Sequence, residues 1–254
     1  MKSLASALQI LGEFVMAQEP LGVVELADRL GIQKSKVSKV LKAFRDAGLL
    51  SQDSQSKKYS VGLNAFALGN SFVNANQLSR DSLSVMRKLV DDTGHSAVLS
   101  LLHGADVIHL LAVEGRLFTD SRWRVGRWMP YHSTSAGKVL LAFGPPERVE
   151  FLLKTRGLPQ ITQNTIIDAR KFRAVIHKTA KVGYAVSRSE TYPGSAALAV
   201  PLFAKGPQAI ATLGLICPEH LLTAEEELRI IAPLQRRARE LSFRLGAEIY
   251  PFGE

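Results

Sequence analysis

The 254-residue sequence contains one cysteine, Cys217, and no apolar run that approaches the roughly 20 residues needed to span a bilayer. A single cysteine excludes an intramolecular disulfide and a zinc site built from cysteines. The N-terminal segment contains Glu13 and has the pattern of an amphipathic helix, which is unlike a secretory signal peptide. We therefore expect a cytoplasmic protein that does not interact with membranes.

Acidic residues are in the minority, because 23 Asp and Glu stand against 32 Lys and Arg, for a net charge of +9. A basic balance favours a polyanionic partner. The excess is local: residues 31–58 include Lys34, Lys36 and five further basic residues but only two acidic ones, whereas the preceding segment carries Glu25 and Asp28. The length exceeds one average domain, so we expect two domains.

Residues 23–60 have the pattern of a DNA-binding winged helix-turn-helix. Apolar residues follow the spacing of two short helices packed on each other, and Gly31 stands where the chain leaves the first helix. Lysines and serines occupy the free positions of the second helix, which suits the major groove of DNA. Two short strands, at 49–51 and 59–61, flank a polar turn and predict the wing.

The predicted DNA contacts divide into two roles. A solvated basic helix face that binds no DNA is the alternative interpretation of the same charge pattern. Base edges are assigned to side chains of the second helix: Ser35, Lys36, Ser38 and Lys39. Gln33, just before this helix, is also expected to contact DNA. Phosphate contacts, which fix register without reading sequence, are assigned to Lys34, Lys42, Lys57 and Lys58.

The rest of the chain predicts an α+β fold. A first helix covers residues 3–18, and a linker helix covers 63–77. Beyond residue 94 the pattern changes to hairpin strands interspersed with helices, which indicates a mostly antiparallel sheet. The predicted strands are 95–102, 107–113, 120–125, 184–187, 196–203 and 209–216. The predicted helices are 135–143, 146–155, 168–182 and one from Thr223. The domains are then a winged helix-turn-helix at 1–62, the linker helix at 63–78 and an effector-binding domain at 79–254.

Three blocks carry a family resemblance. The first is ALQILGEF with LADRLGIQKSKVSKVLKAFRDAGLL, the second is VGRWMPYHSTSAGKVLLA, and the third runs from GYAVSRSE to AVPLF. Together and in this order they resemble the IclR family of bacterial transcriptional regulators. The resemblance implies an N-terminal winged helix, a C-terminal α/β effector domain similar to GAF domains, and homodimers or dimers of dimers (homotetramers) on a palindromic double-stranded DNA operator. Dimerisation is expected through the first helix and residues 63–73.

The resemblance also implies an effector pocket between one face of the sheet and the turn at 135–137. Ser133 or a neighbour would cap the following helix, whose free N–H groups suit a carboxylate. The pocket positions carried over are Ser135, Ala136, Gly137, Ser187, Ala197, Gly214 and Ile216. Glyoxylate-type members have an acidic side chain, a cysteine and serines at the last four of these positions. We therefore expect a less polar pocket and a larger small organic acid as effector, such as an aromatic acid, with Trp123, Trp128 or Met129 near its mouth.

Other chemistries are weaker alternatives. A phosphate loop at 135–138 has His132 where a glycine is required, so Lys138 is expected on an exposed helix surface. A metal site could be assembled from scattered residues, but such histidines are more often structural, and no metal or cofactor is expected; the candidates are His95, His103, Asp106, His109, Glu114 and His132.

Catalysis is not expected either, since no Gly-x-Ser-x-Gly or His-Glu-x-x-His motif is present and Cys217 is expected to be a buried apolar residue. An enzyme with an appended DNA-binding domain is the main rival. An architectural DNA-binding protein without an effector is another. Single-stranded nucleic acid stacked on residues 122–128 is a third alternative.

Overall fold

The structure is a computed structural model that describes residues 2–17, 19–117 and 125–253. The chain divides into two compact units, Met1–Asn76 and Gln77–Glu254. The elements of the first unit are α1 (Lys2–Met16), α2 (Val23–Leu30), α3 (Lys34–Asp46), β1 (Leu50–Gln52), β2 (Tyr59–Val61) and α4 (Leu63–Ala75).

The first unit is a helix-turn-helix with a wing. Gly31 ends α2 in the left-handed conformation, with φ of 63°, as its position in the sequence predicts. Strands β1 and β2 are antiparallel, and the backbones of Leu21 and Tyr59 exchange two hydrogen bonds of 2.9 Å beside them. The core consists of Ile10, Phe14, Leu21, Leu26, Ala27, Val37, Leu41, Leu50 and Tyr59. These contacts leave one face of α3 free.

The second unit combines one sheet with helices. Its helices are α5 (Gln77–Thr93), α6 (Ser135–Ala142), α7 (Glu147–Thr155), α8 (Ala169–Val182) and α9 (Ala224–Arg244). Its strands are β3 (Ser96–His103), β4 (Asp106–Val113), β5 (Trp128–Pro130), β6 (Ala185–Arg188), β7 (Ser195–Phe203) and β8 (Ala209–Pro218).

The described strands form a sheet in the order β5-β4-β3-β8-β7-β6, with every neighbouring pair antiparallel. This confirms the predicted fold class. The predicted strand at 120–125 lies outside the described residues except for Val125, which is in a turn, and the edge strand β5 begins at Trp128.

The two faces of the sheet differ in side-chain size. Helices α5 and α9 pack on each other and on strands including β3 and β7, while α6 packs on β6, β7 and β8. Successive side chains of a strand point to opposite faces. Ala199 packs with Ala136 and Val139 of α6, so Leu198 and Val200 point to the other side. Small residues on the α6 side leave space for a cavity.

Candidate DNA-binding surface and effector pocket

Helix α3 exposes a polar face opposite its apolar one. Val37 and Leu41 are fully buried. At about 100° per residue, the exposed positions from Lys34 to Lys42 fall within about 140° of the helix circumference. The exposed members of the predicted DNA-binding set on this helix and its cap are Gln33, Lys34, Ser35, Ser38, Lys39 and Lys42.

Lys36 differs from the other lysines of α3. Its side chain is half-buried, and its Nζ donates a hydrogen bond of 2.9 Å to Oγ of Ser6 in α1. In this structure the amino group joins two helices of the unit. Lys36 therefore lies at the edge of the exposed face and not at its centre.

The start of α3 carries an unfavourable charge. The first turn contains Lys34 and Lys36 but no acidic residue, and Gln33 precedes it without capping through its side chain. Because a helix N-terminus is positive, a cation there is disfavoured by about 0.3–1 kcal/mol at low ionic strength. A polyanion bound at this end would be attracted both by the lysines and by the helix N-terminus, which would offset their mutual repulsion.

The wing is held in a defined turn. Oδ1 of Asp53 accepts hydrogen bonds from the Ser56 N–H at 2.7 Å and the Gln55 N–H at 3.2 Å, and these bonds lower the pKa of the Asp53 carboxyl. Lys57 adopts φ of 59°, a left-handed conformation that is uncommon for a residue other than glycine. The exposed side chains of Lys57 and Lys58 stand at this turn.

In the second unit, a cavity of about 50 Å³ lies between α6 and the small-residue face of the sheet. Most of the surrounding side chains are apolar or small. The cavity brings together seven residues of the predicted effector set: Met129, Ser135, Ala136, Ser187, Ala197, Gly214 and Ile216.

The start of α6 borders this cavity and is capped by Thr134, whose Oγ1 accepts a hydrogen bond of 3.1 Å from the Gly137 N–H. Among the described residues, no hydrogen-bond acceptor is found for the N–H groups of Ser135 and Ala136. Both residues line the cavity. The arrangement offers two free donors at the positive end of a helix, which suits a small anion.

The other predicted pocket residues lie outside the lining. The Ser133 carbonyl accepts a 2.7 Å hydrogen bond from Ser187 Oγ. Ser133 therefore supports a residue that lines the cavity and does not line it itself. A Cβ on Gly137 would stand 1.9 Å from the Tyr131 carbonyl oxygen, so glycine permits a close backbone approach there. Trp128 packs edge-on against His103. Trp123 lies outside the described residues.

The expectation that Lys138 is exposed is wrong. Its side chain is 1% exposed, and its Nζ donates to the Val186 carbonyl at 3.1 Å and pairs with the Glu190 carboxylate. Burial lowers the pKa of Lys138 and raises that of Glu190, and each charge partly offsets the shift of the other. The helix is covered on every side, so its lysine is buried with a partner and is not available to a phosphate.

Family models of known proteins match both units of the chain. Residues 71–243 match the family model of the bacterial transcriptional regulator IclR C-terminal domain, and residues 3–54 match the IclR helix-turn-helix domain. The chain belongs to the IclR family. One relative is the HTH-type transcriptional regulator KdgR from Escherichia coli. It is 29% identical to this chain, over 96% of this chain and 92% of that protein.

Two further relatives extend the match. The glycerol operon regulatory protein of Streptomyces coelicolor is 29% identical over 97% of both chains. The crystal structure of an IclR transcriptional regulator from Alicyclobacillus acidocaldarius superposes with a TM-score of 0.85 at 26% identity, covering 97% of this chain and 99% of that one. This IclR-family chain is therefore a transcriptional regulator with a DNA-binding domain, and not an enzyme.

The titratable residues considered for metal or catalysis are dispersed in this IclR-family domain. Nε2 of His95 pairs with Glu226 at 2.6 Å, and Nε2 of His132 lies 2.9 Å from the Pro159 carbonyl oxygen. No group of three potential metal-ligating side chains occurs in the part of the chain that is described. Burial raises the pKa of the Cys217 thiol to about 12. No described helix is long and apolar enough to cross a membrane.

Among the polar cavity residues missing from the sequence-based effector set, three lie inside strands β3, β4 and β8: Ser100, His109 and Thr212. Each lies inside an otherwise apolar strand segment, as in VLSLL or IATLG. An isolated polar residue in such a run is the signal that could have identified them. The family resemblance did not include these positions. The three residues were therefore predicted only as parts of strands and not as pocket residues.

Proposed function

We propose that the chain is a ligand-responsive, sequence-specific regulator in which α3 enters the major groove of a palindromic operator and a small organic carboxylate controls its affinity for DNA. One observation carries the proposal: an exposed cationic helix face in one unit coexists with a cavity at a helix N-terminus in the other. An architectural DNA-binding protein has no need of the second feature.

The exposed face of α3 supports the division of DNA contacts. Ser35, Ser38 and Lys39 are exposed on the first two turns of the helix and suit base edges, while Lys42 and the wing lysines suit phosphates. Lys36 would read bases only after leaving Ser6, which is an exchange of one hydrogen bond for another. We assign Lys36 to the edge of the DNA contact.

The cavity supports a small carboxylate effector. The N–H groups of Ser135 and Ala136 would receive the carboxylate, and the alanines of β7 would cover its apolar part. A cavity that admits benzene has a volume of about 150 Å³. With about 50 Å³, this one takes an acid of a few atoms as it stands, and an aromatic acid would require the wall to move outward.

The target is proposed to be a catabolic operon, controlled in the cytoplasm. Two relatives, 29% and 30% identical, are named glycerol operon regulatory proteins, which supports control of an operon for the use of a small carbon compound. A short carboxylate would then report the metabolic state of that pathway. Footprinting of DNA upstream of the gene and of its neighbours would identify the operator.

A second copy of the chain is proposed to cover exposed apolar side chains of the first unit. None of residues 63–75, all of which are described, is buried, and Leu63 is 79% exposed. Further exposed apolar residues on α1 and α4 are Leu4, Leu8, Val15, Phe66, Leu68 and Phe72. Large exposed apolar patches mark interaction surfaces, and palindromic operators match two-fold dimers.

Replacement of Leu68 by Glu tests this dimer. In sedimentation, L68E should be monomeric where the wild type is a dimer or tetramer, and operator affinity should fall with it. Val61→Glu, on the exposed side of the wing sheet, is the control and should leave the oligomer intact. An L68E variant with the wild-type sedimentation coefficient would contradict the assignment.

The central experiment measures operator binding with and without a panel of short carboxylic acids. At least one acid should change the dissociation constant by about 5- to 150-fold, the usual range of allosteric coupling. Ala197→Leu fills the cavity and should abolish the response while leaving ligand-free DNA binding unchanged; Ala174→Leu, exposed on α8, should respond like the wild type. Equal responses of both variants would place the effector elsewhere.

A further inference from the structure

The second unit contains a groove that is separate from the effector cavity. Its volume is about 750 Å³, against about 50 Å³ for the cavity, and no described residue lines both. The two lie at opposite ends of α6, since Ser135 at its start borders the cavity and Phe143 at its C-terminal cap lines the groove. Ligand pockets usually measure about 300–1,000 Å³ and are mostly apolar with a few polar groups. The groove has the size of such a pocket.

Aromatic side chains build much of the groove wall. Phe143, Phe203 and Phe252 line it, and together with the buried Tyr250 they form a closed set of four rings whose neighbouring centroids are 5.5–5.9 Å apart. Edge-to-face packing of this kind is a favoured arrangement of aromatic rings. Phe252 also lies close against Gly183, where a Cβ would stand 2.3 Å from the Phe252 Cγ. The wall is therefore preorganised, which lowers the cost of binding a further ring.

Two exposed side chains of opposite charge stand at this aromatic wall. Lys205, in the turn between β7 and β8, and Glu248, which follows α9, both line the groove. Neither side chain forms an ion pair or a hydrogen bond with any described residue. An anionic ligand would be repelled by Glu248, and a cationic ligand would be repelled by Lys205. A ligand that carries both charges is attracted by both residues.

We propose that the groove binds an aromatic amino acid, whose ring packs on the phenylalanines while its carboxylate pairs with Lys205 and its ammonium group with Glu248. Ile249, which lines the groove and is 75% exposed, would be partly covered by the bound ring. A cavity that admits benzene has a volume of about 150 Å³, so the ring fits the groove and does not fit the effector cavity as it stands. The groove is thus a second ligand site, and it does not depend on the carboxylate effector proposed above.

Methyl NMR of the full chain, labelled at the δ1 carbon of isoleucine, tests the site with L-phenylalanine. Ile249 lines the groove and Ile216 lines the effector cavity, so each signal reports on one site. Ile249→Val and Ile216→Val identify the two signals. L-Phenylalanine should shift the Ile249 signal in a saturable way, because an aromatic ring alters the magnetic field at nearby nuclei, and should leave the Ile216 signal in place. L-Alanine, which has both charges but no ring, should shift neither.

Analogues that carry one charge test the two ion pairs. 3-Phenylpropanoate lacks the ammonium group and 2-phenylethylamine lacks the carboxylate, so each should bind about two- to fivefold more weakly than phenylalanine, as expected for the loss of an exposed ion pair. Lys205→Met should weaken phenylalanine by a similar factor without weakening 2-phenylethylamine, whose ammonium group is then no longer repelled. Glu248→Gln should weaken phenylalanine without weakening 3-phenylpropanoate.

Two matched substitutions on α8 test the location. Ala180→Trp fills the groove from an exposed position and should abolish the response to phenylalanine. Ala174→Trp, exposed on the same helix outside the groove lining, should bind phenylalanine like the wild type. Ala197→Leu fills the effector cavity and should also retain phenylalanine binding, although it should lose the response to short carboxylates.

The outcomes separate this inference from the proposed function. The second site is overturned if phenylalanine leaves Ile249 unshifted, if it shifts Ile216 instead, or if Ala180→Trp responds like the wild type. Equal affinity of the wild type for phenylalanine and both one-charge analogues would overturn the ion pairs and with them the ligand class. A change of sedimentation coefficient confined to Ala180→Trp would show that a second copy covers the groove, which also overturns the inference. The response of DNA binding to short carboxylic acids tests the effector cavity independently of all these results.

Discussion

Helices α3 and α6 begin with similar residues and have opposite environments. One starts QKSKV and the other TSAGKV, so each combines hydroxyl side chains with lysine in its first turn. Helix α3 has no side-chain cap, and Lys34 and Lys39 are exposed to solvent. Helix α6 is capped by Thr134, and its Lys138 is buried against Glu190.

The contrast shows that the surroundings of a lysine, more than its local sequence, decide what it can do. Helix α3 is apolar on one side only, so Lys34, Lys39 and Lys42 remain hydrated and free to meet a polyanion. Helix α6 is buried along its length, and a desolvated ammonium there requires a counter-charge. Helix α3 is suited to binding DNA, and helix α6 is suited to forming one wall of a cavity.

The largest effect is expected from breaking the buried pair of α6. Lys138→Met leaves Glu190 without its partner and should destabilise the second unit by about 3–5 kcal/mol. Both tryptophans of the chain belong to that unit, so urea unfolding followed by tryptophan fluorescence measures the loss.

The matched control is Lys178→Met, since Lys178 is exposed on α8. It should change stability by no more than about 0.5 kcal/mol. Replacing both partners, as in Lys138→Met with Glu190→Leu, should recover part of the loss because no lone charge remains buried. Equal stability of the two lysine variants would mean that the buried pair contributes nothing to the fold.

The same contrast explains what could be predicted from sequence. The helix-turn-helix, the wing and the antiparallel sheet follow from apolar periodicity and from Gly31, which act over a few residues. The environment of Lys138 does not, because its partner Glu190 is 52 residues away in the chain and the helix is covered by distant strands. Local pattern indicated a half-exposed helix, whereas tertiary packing buries it completely.

The residues of the candidate pocket were likewise predictable only in part. Family resemblance supplied the positions that line α6, β6, β7 and β8. It did not supply the row of Ser100, His109 and Thr212, because that row exists only once three strands are paired in register. Trp128 was expected near the pocket mouth, but it packs on His103 at the sheet edge. Such assignments require the paired sheet.

On α3, a smaller effect is expected from a single lysine. Lys42→Gln should weaken binding to all DNA sequences alike and reduce the slope of log affinity against log salt by about one. Protein stability should not change, in contrast to Lys138→Met. Lys154→Gln makes the same change of net charge on an exposed position of α7 and should leave the slope unaltered. A Lys42→Gln slope equal to that of the wild type would remove Lys42 from the phosphate contacts.

The smallest measurable change in stability is expected from giving α3 the negative charge that its first turn lacks. Ser35→Glu places a carboxylate at the positive end of the helix, four residues before Lys39, and should stabilise the first unit by about 0.3–1 kcal/mol. Slower amide hydrogen exchange in α3 would report the gain. DNA binding should nevertheless fall sharply, because the carboxylate faces phosphates, while Ser35→Gln should show neither the added stability nor the electrostatic loss. A Ser35→Glu protein that keeps its operator affinity would show that the start of α3 does not approach DNA, since a repelling charge there would then have no anion to repel.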